Sequence, residues 1–277
     1  MATDLDGTLL RSDGSLDART LRALERVEAA PTHPIVILCT ARPARWLAPL
    51  AAAAGRHGLV VCANGGVIWS VHDERVLEQF PLEVEVAHEV VARLRAVLPE
   101  GTWAVERAQA FAREPDYTPR WPVPDDTVVD AIDALLSPPP VKLMLRHPHL
   151  TVADLAARAQ EQVGHLVEIT YSSSEDALLE ISALGVSKAS ALAGVCAARG
   201  IAPEEVIAFG DMPNDLPMLA WAGHGVAVAN AHPEVLAAAD EVTAANDDCG
   251  VAQVLERLLA GSPVSGAAGV DGRARRS

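Results

Sequence analysis

Val206-Ile207-Ala208-Phe209-Gly210-Asp211 is a short apolar run that stops at a glycine and a carboxylate. Two other runs share its form: Ile35-Val36-Ile37-Leu38-Cys39 stops at Thr40, and Leu59-Val60-Val61-Cys62-Ala63 stops at Asn64. A strand that is apolar at every position is buried on both faces, which implies a parallel sheet covered by helices. Helical patterns over 18–28, 44–54, 188–199, 216–222 and 253–259 lie between and after the runs. Strand alternating with helix predicts an α/β fold. In such sheets ligands bind beyond the carboxyl ends of the strands. Thr40, Asn64 and Asp211 stand at those ends, so the site is located before any motif is considered.

Between about 82 and 183 the composition changes, with Pro115, Pro119, Pro122, Pro124 and Pro138-Pro139-Pro140 gathered there. Strand-like stretches over 102–106, 141–145 and 166–171, with helical patterns over 84–97 and 152–163, predict a second α/β unit inserted into the first. The core is then split into 1–81 plus 184–260, the insert is 82–183, and 261–277, rich in Gly, Ala and Ser, is expected to be a disordered tail.

A chain of 277 residues, half of them hydrophobic, can bury a sizeable core. Its net charge of -15 argues against partners held by a broad basic surface, so neither nucleic acid nor an anionic membrane is expected. Cys39, Cys62, Cys196 and Cys249 are widely spaced and form no C-x-x-C pair, as reduced thiols of a cytoplasmic protein would be. No signal-peptide pattern opens the chain, and no apolar stretch approaches the ~18 residues of a membrane span.

Asp4-Leu5-Asp6-Gly7-Thr8 sets two carboxylates two residues apart at the end of a first short strand. Carboxylates this close repel unless a cation sits near them. Mg²⁺, which takes oxygen ligands, suits the pair, and Gly210-Asp211-Met212-Pro213-Asn214-Asp215 offers further oxygens at a neighbouring strand end. Thr40 can give a hydroxyl and an amide to a phosphate oxygen, and Gly65-Gly66 after Asn64 leaves the backbone open to close approach. Lys188, in Gly185-Val186-Ser187-Lys188, opens a predicted helix, where ammonium and helix N-terminus both present positive charge. Acid pair, metal, hydroxyl and lysine together suit transfer of a phosphoryl group, a reaction carried mostly by positioning and charge neutralisation.

With those four elements in that order, the sequence resembles the haloacid dehalogenase superfamily, and within it the Cof-type phosphatases with a C2 (type IIB) cap. The resemblance spans roughly residues 1–260 and extends to Asn64-Gly65-Gly66, Ser187-Lys188-Ala189-Ser190-Ala191-Leu192 and Gly225-Val226-Ala227-Val228-Ala229-Asn230-Ala231. It implies a Rossmann-like parallel-sheet core with an inserted α/β cap, and Mg²⁺ as cofactor. It implies Asp4 as the nucleophile that becomes an aspartyl phosphate, and Asp6 as the acid and base for leaving group and water. Asp4, the main-chain carbonyl of Asp6, and Asp211 would hold the metal, with Asp215 in support. Thr40 and Lys188 would hold phosphoryl oxygens, Asn214 would lie beside the substrate, and Arg42 and Asn64 would be further substrate contacts. One departure is that only Met1, Ala2 and Thr3 precede Asp4, where the family has a longer apolar strand; the native start is expected upstream.

The expected substrate is a small phosphorylated metabolite, sugar phosphates first and phosphorylated cofactors after them. A phosphotransferase or mutase, of which phosphomannomutase is an example, is the alternative, and a phospho-accepting signalling receiver a remote one, since receivers are less than half this length. Oligomeric state is not readable. His224 and His232 read as structural. Trp103, Tyr117 and Trp121 read as packing or interface residues that could also line a pocket.

Overall fold

The computed structural model describes residues 1–31, 34–173 and 176–261. Beyond Gly261 the expected tail lies outside the described residues. In chain order the elements are β1 (Ala2–Thr3), α1 (Ala18–Glu28), β2 (Ile37–Cys39), β3 (Leu59–Cys62), β4 (Val67–Ser70), β5 (Arg75–Gln79), α2 (Val84–Val97), β6 (Thr102–Glu106), β7 (Phe111–Arg113), β8 (Val128–Val129), α3 (Ile132–Leu135), β9 (Lys142–Arg146), α4 (Val152–Val163), β10 (Val167–Thr170), β11 (Leu178–Ala183), α5 (Lys188–Ala197), β12 (Ile207–Gly210), α6 (Leu216–Trp221), β13 (His224–Val228), α7 (Pro233–Ala238), β14 (Glu241–Thr243) and α8 (Gly250–Leu259). None of the described helices is long and apolar enough to cross a membrane.

One sheet runs β14-β13-β12-β1-β2-β3-β4-β5. It is parallel from β14 to β3, and the apolar runs at 35–39, 59–63 and 206–209 lie in or around its buried strands. β1 is two residues long and central: Ala2 pairs with Ala208 and Ile37, and Thr3 with Phe209 and Leu38. Met1 extends its hold, donating its amino group to Ile35 O at 2.9 Å and accepting from Ile37 N at 3.0 Å. Helix α1 packs on α8, and α5 on α6.

Two features differ from the sequence reading. β4 and β5 form an antiparallel edge beyond β3, so the sheet is mixed. The expected helix over 44–54 is instead a pair of 3₁₀ turns, Ala44–Trp46 and Ala48–Leu50. Pro49 has no N–H to give an α-helical ladder, and Gly55 adopts φ +60° shortly afterwards.

A second sheet runs β10-β11-β9-β6-β7-β8, antiparallel except between β7 and β8. Alternation assigns its faces. Trp103, Val105, Leu143, Leu145, Leu179 and Ile181 pack with residues of α2 and α4 in one apolar cluster. Their neighbours Glu106, Lys142, Met144, Leu178 and Glu180 point the other way and line a cleft shared with the carboxyl edge of the first sheet.

Candidate active site

Four segments arrive at that carboxyl edge. The chain leaves β1 through Asp4, whose amide still donates to Phe209 O at 2.9 Å, fixing a side chain that is buried at the strand tip. The turn that follows needs glycine: Gly7 has φ +81°, and a Cβ there would collide with the Asp211 carboxylate. Thr8 closes the turn by donating its hydroxyl to Asp211 Oδ1 at 2.7 Å.

From β12 the chain passes into 211–215. Asp215 is fully buried, and its Oδ2 accepts the amides of Asp211 and Met212, each at 3.1 Å, which fixes the loop. Lys188 opens α5, whose start is set by reciprocal capping between Ser187 and Ser190. Its ammonium, 1% exposed, donates to Asp4 Oδ1 at 2.6 Å and to Asp215 Oδ1 at 2.7 Å. Gly65, at φ +100°, lets the loop after β3 approach the Ser187 carbonyl, which a Cβ would strike.

Among the described residues, Asp4, Asp211 and Asp215 form one group whose carboxylate oxygens lie within 4.8 Å of one another. Burial pushes Asp4 well above the usual carboxylate range, against the pull of Lys188. Burial, with the charge of Asp215, raises Asp211 to about 6. Burial alone would lower Lys188, but Asp215 and Asp4 outweigh it and the ammonium ends above its ordinary value. Three carboxylates against one ammonium leave a surplus of negative charge in a buried place. A divalent cation that prefers oxygen cancels it, and the group contains no imidazole or thiolate to favour a softer metal.

That balance has a pH signature. The folded protein holds the Asp211 proton more tightly than the unfolded chain does, so the metal-free fold is favoured at low pH and loses that advantage as pH rises from about 4 through about 6. A cation binding the ionised group acts in the opposite sense. Saturating MgCl₂ is expected to raise Tm by about 5 °C at pH 7.5 and by much less at pH 5. Thermal melts with MgCl₂ or EDTA at both pH values check this, and equal shifts would contradict a carboxylate site.

Asp6 stands outside the acidic group. Its carboxylate, 56% exposed, is gripped by Arg42, with Nε to Oδ2 at 2.7 Å and Nη2 to Oδ1 at 2.5 Å. The sequence reading assigned the proximity of Asp4 and Asp6 to a shared cation; the structure answers the charge of Asp6 with a guanidinium. Asp4 is still extended, and the turn that opens at Leu5 ends the strand's alternation before Asp6.

The Thr40 hydroxyl at the tip of β2 accepts the Arg42 amide at 3.0 Å, so the two are held together. Asn64, in a left-handed conformation at φ 56°, accepts Asn214 Nδ2 on its Oδ1 at 3.2 Å. Its own Nδ2 donates across to the second sheet, to Glu180 Oε2 at 3.0 Å and Thr170 Oγ1 at 3.2 Å. Asn214 Oδ1 is buried without a hydrogen-bond partner, and the residue lines the cleft. The structure thus brings together Asp4, Thr40, Arg42, Asn64, Lys188, Asp211, Asn214 and Asp215, with Asp6 at the rim.

The opposite wall holds residues that the sequence reading missed. Lys142 Nζ donates to Ala41 O at 2.9 Å and pairs with Glu180, while Arg45 pairs with Glu106; the two acids and Lys142 are buried. The signal was a charge at an alternate position of an otherwise apolar strand, as at Lys142 in Val141-Lys142-Leu143 and Glu180 in Leu179-Glu180-Ile181. Such a charge is tolerated only when paired. The two walls enclose a cleft of about 930 Å³ with Asp4 and Asp6 among its lining. Trp103 is core, whereas Tyr117 and Trp121 face the cleft.

Residues 1–255 match the family model of the haloacid dehalogenase-like hydrolases. A phosphoglycolate phosphatase of Halorubrum lacusprofundi is 30% identical over 259 residues, covering 93% of this chain and 96% of that protein. A pyridoxal phosphate phosphatase of Escherichia coli is 28% identical, with 92% of this chain and 96% of that one covered. Among solved structures, a haloacid dehalogenase-like hydrolase from Bacteroides thetaiotaomicron is similar at a TM-score of 0.74 and 25% identity, covering 93% of this chain and 98% of that one. The match takes in every segment that delivers the acidic group and its lysine, and the chain belongs to the haloacid dehalogenase-like hydrolases of the Cof type.

Proposed function

We propose that the protein is a Mg²⁺-dependent phosphatase that hydrolyses a small phosphorylated metabolite through a phosphorylated Asp4. The observation that carries this reading is the buried Lys188–Asp4 contact within the acidic group, with Asp4 among the residues that line the cleft. An oxygen of Asp4 attacks phosphorus as the bond to the leaving oxygen breaks, and Asp6, released from Arg42 and protonated when substrate is bound, gives that oxygen its proton. Asp6 then takes a proton from water, which attacks phosphorus; inorganic phosphate leaves and Asp4 is restored. Lys188 and the Thr40 hydroxyl receive phosphoryl oxygens. Asn214, with an unpartnered carbonyl oxygen, lies where a substrate donor could meet it. Asp4, Asp211 and the main-chain carbonyl of Asp6 would hold Mg²⁺, with Asp215 behind them. When bound, the ion neutralises charge between Asp4 and the phosphoryl oxygens.

Residues 82–183 act in this reading as the cap. Its polar face reaches the core through Lys142 to Ala41 O and Asn64 to Glu180, contacts that would close the cleft against bulk water. Sugar phosphates come first by resemblance, while phosphoglycolate and pyridoxal phosphate are named for two of the relatives. Phosphate release from a panel of such monoesters, with MgCl₂ or EDTA, tests the reading. Release with MgCl₂ and none with EDTA is expected; no release from a folded protein on any member would overturn it, and transfer to a second sugar in place of release would mark a phosphotransferase.

A further inference from the structure

Four buried side chains form an unbroken line from the second sheet to the acidic loop. Glu180 of β11 pairs with Lys142 of β9 and accepts Asn64 Nδ2 on its Oε2 at 3.0 Å. Asn64 in turn accepts Asn214 Nδ2 on its Oδ1 at 3.2 Å, and Asn214 stands in the loop that also carries Asp211 and Asp215. At the end of the line Asn214 Oδ1 is buried without a partner, in a residue that lines the cleft.

The direction of the line is set at Glu180. A carboxylate only accepts hydrogen bonds, whereas an asparagine amide has one accepting and one donating end. Asn64 must therefore turn its Nδ2 to Glu180. Thr170 demands the same: its hydroxyl hydrogen goes to the Glu180 main-chain carbonyl at 3.4 Å, so its oxygen accepts the second Nδ2 hydrogen of Asn64 at 3.2 Å. With both donors spent on the second sheet, Asn64 has only its oxygen left for Asn214. Asn214 must answer with Nδ2, which leaves Oδ1 as the group turned to the cleft. A reversed Asn214 would set two buried oxygens against each other, at the cost of an unmade bond.

Resting on the phosphatase reading above, we propose that Glu180 is a positioning residue of the reaction. Through Asn64 it holds Asn214 with its oxygen facing the cleft, so that the site at this point accepts a hydrogen bond from the bound molecule. The setting exists only while the two sheets are in contact, because Glu180 belongs to the second and Asn64 and Asn214 to loops of the first. Lys142 keeps the carboxylate in place and donates to Ala41 O at 2.9 Å, between Thr40 and Arg42. Withdrawal of the second sheet frees Asn64 to turn, and the acceptor is no longer fixed. Closure over substrate thereby completes a hydrogen-bonding position next to the acidic group.

Glu180→Gln tests this with little change of shape. The Lys142 ammonium draws the glutamine carbonyl oxygen, so the glutamine amide faces Asn64, and the line is expected to reverse, with Asn214 Nδ2 turned to the cleft. Hydrogen exchange of the Asn214 side-chain amide, read in ¹H–¹⁵N spectra, reports the reversal directly. Its protons are expected to exchange about tenfold faster in Glu180→Gln, the loss of one hydrogen bond, while the main-chain amides of Asp211 and Met212, bonded to Asp215, keep their rates. Unmoved Asn214 exchange, or equal acceleration of all three, overturns the proposal. So does a wild-type Asn214 amide that exchanges as fast as an exposed asparagine, a result that decides even where the variant does not fold. In turnover, kcat/KM for the panel monoester hydrolysed fastest is expected to fall about tenfold in Glu180→Gln, and to fall no further when that substitution is added to Asn214→Ala. Losses that multiply show Glu180 acting by another route and overturn the proposal while leaving the phosphatase reading intact. If no monoester is hydrolysed, that reading fails instead, and the exchange rates alone decide how Asn214 is held.

Discussion

Asp4→Asn is expected to lower phosphate release by about 10⁴-fold or more, the scale on which removal of an attacking group acts. The amide has nearly the shape of the carboxylate, so the backbone bond to Phe209 O and the turn at Gly7 are kept. What is lost is the charge and the nucleophile. The same substitution has a second consequence. Burial holds Asp4 well above the usual carboxylate range, so at neutral pH its ionised form opposes folding of the metal-free protein despite Lys188. Asp4→Asn removes that opposition, and Lys188 keeps Asp215 at 2.7 Å. The metal-free variant is therefore expected to melt no lower than the wild type in EDTA, and to gain less from MgCl₂. Activity and stability moving in opposite directions would be the mark of a site held ready at a cost to the fold. Release within tenfold of the wild type would mean that another group attacks.

What the sequence made legible follows from the range over which each signal acts. A strand buried on both faces writes itself as an unbroken apolar run, so the tips at Thr40, Asn64 and Asp211 could be placed from residues within about five positions. The helices Val84–Val97 and Val152–Val163 were legible for the same local reason. The pair β4–β5 was not: Val67–Ser70 is four residues long and buried throughout, and Arg75–Gln79 is exposed nearly throughout, so neither shows an alternation. The stretch 44–54 looked helical because alanines are abundant there, and Pro49 outweighed them. Long-range pairing was the least legible part. Asp6 and Arg42 are 36 residues apart, and Lys142 and Glu180 are 38 apart; a sequence shows each charge and not its partner. Spacing alone therefore grouped Asp6 with Asp4, whereas the turn that opens at Leu5 lies between them and the Asp6 carboxylate pairs with Arg42.

Lys188→Met gives the sharpest separation of structural from chemical demands on one residue. Methionine keeps the length and the burial but removes the only ammonium in contact with Asp4 and Asp215 among the described residues. Because its partners raise the lysine above its ordinary value, the charge and its contribution are present throughout the range below about 10.5, and only strongly alkaline pH would remove them from the wild type. Taking one partner from a buried ionic group leaves uncompensated charge, at a cost of about 3–5 kcal/mol, which corresponds to roughly 10 °C in Tm for a chain of this size. The loss is expected in EDTA at pH 7.5. It should shrink at pH 5, where Asp211, raised to about 6 even with the lysine present, takes up a proton and relieves the crowding. It should shrink also with MgCl₂, which supplies positive charge by another route. Phosphate release should stay low under all these conditions, because a restored fold does not restore the ammonium that orients Asp4 and receives a phosphoryl oxygen. Thermal melts and phosphate release across the two pH values, with and without metal, separate these effects. A variant as stable as the wild type in EDTA at pH 7.5 would show that the carboxylates do not need the lysine, and would remove the charge argument on which the metal site rests.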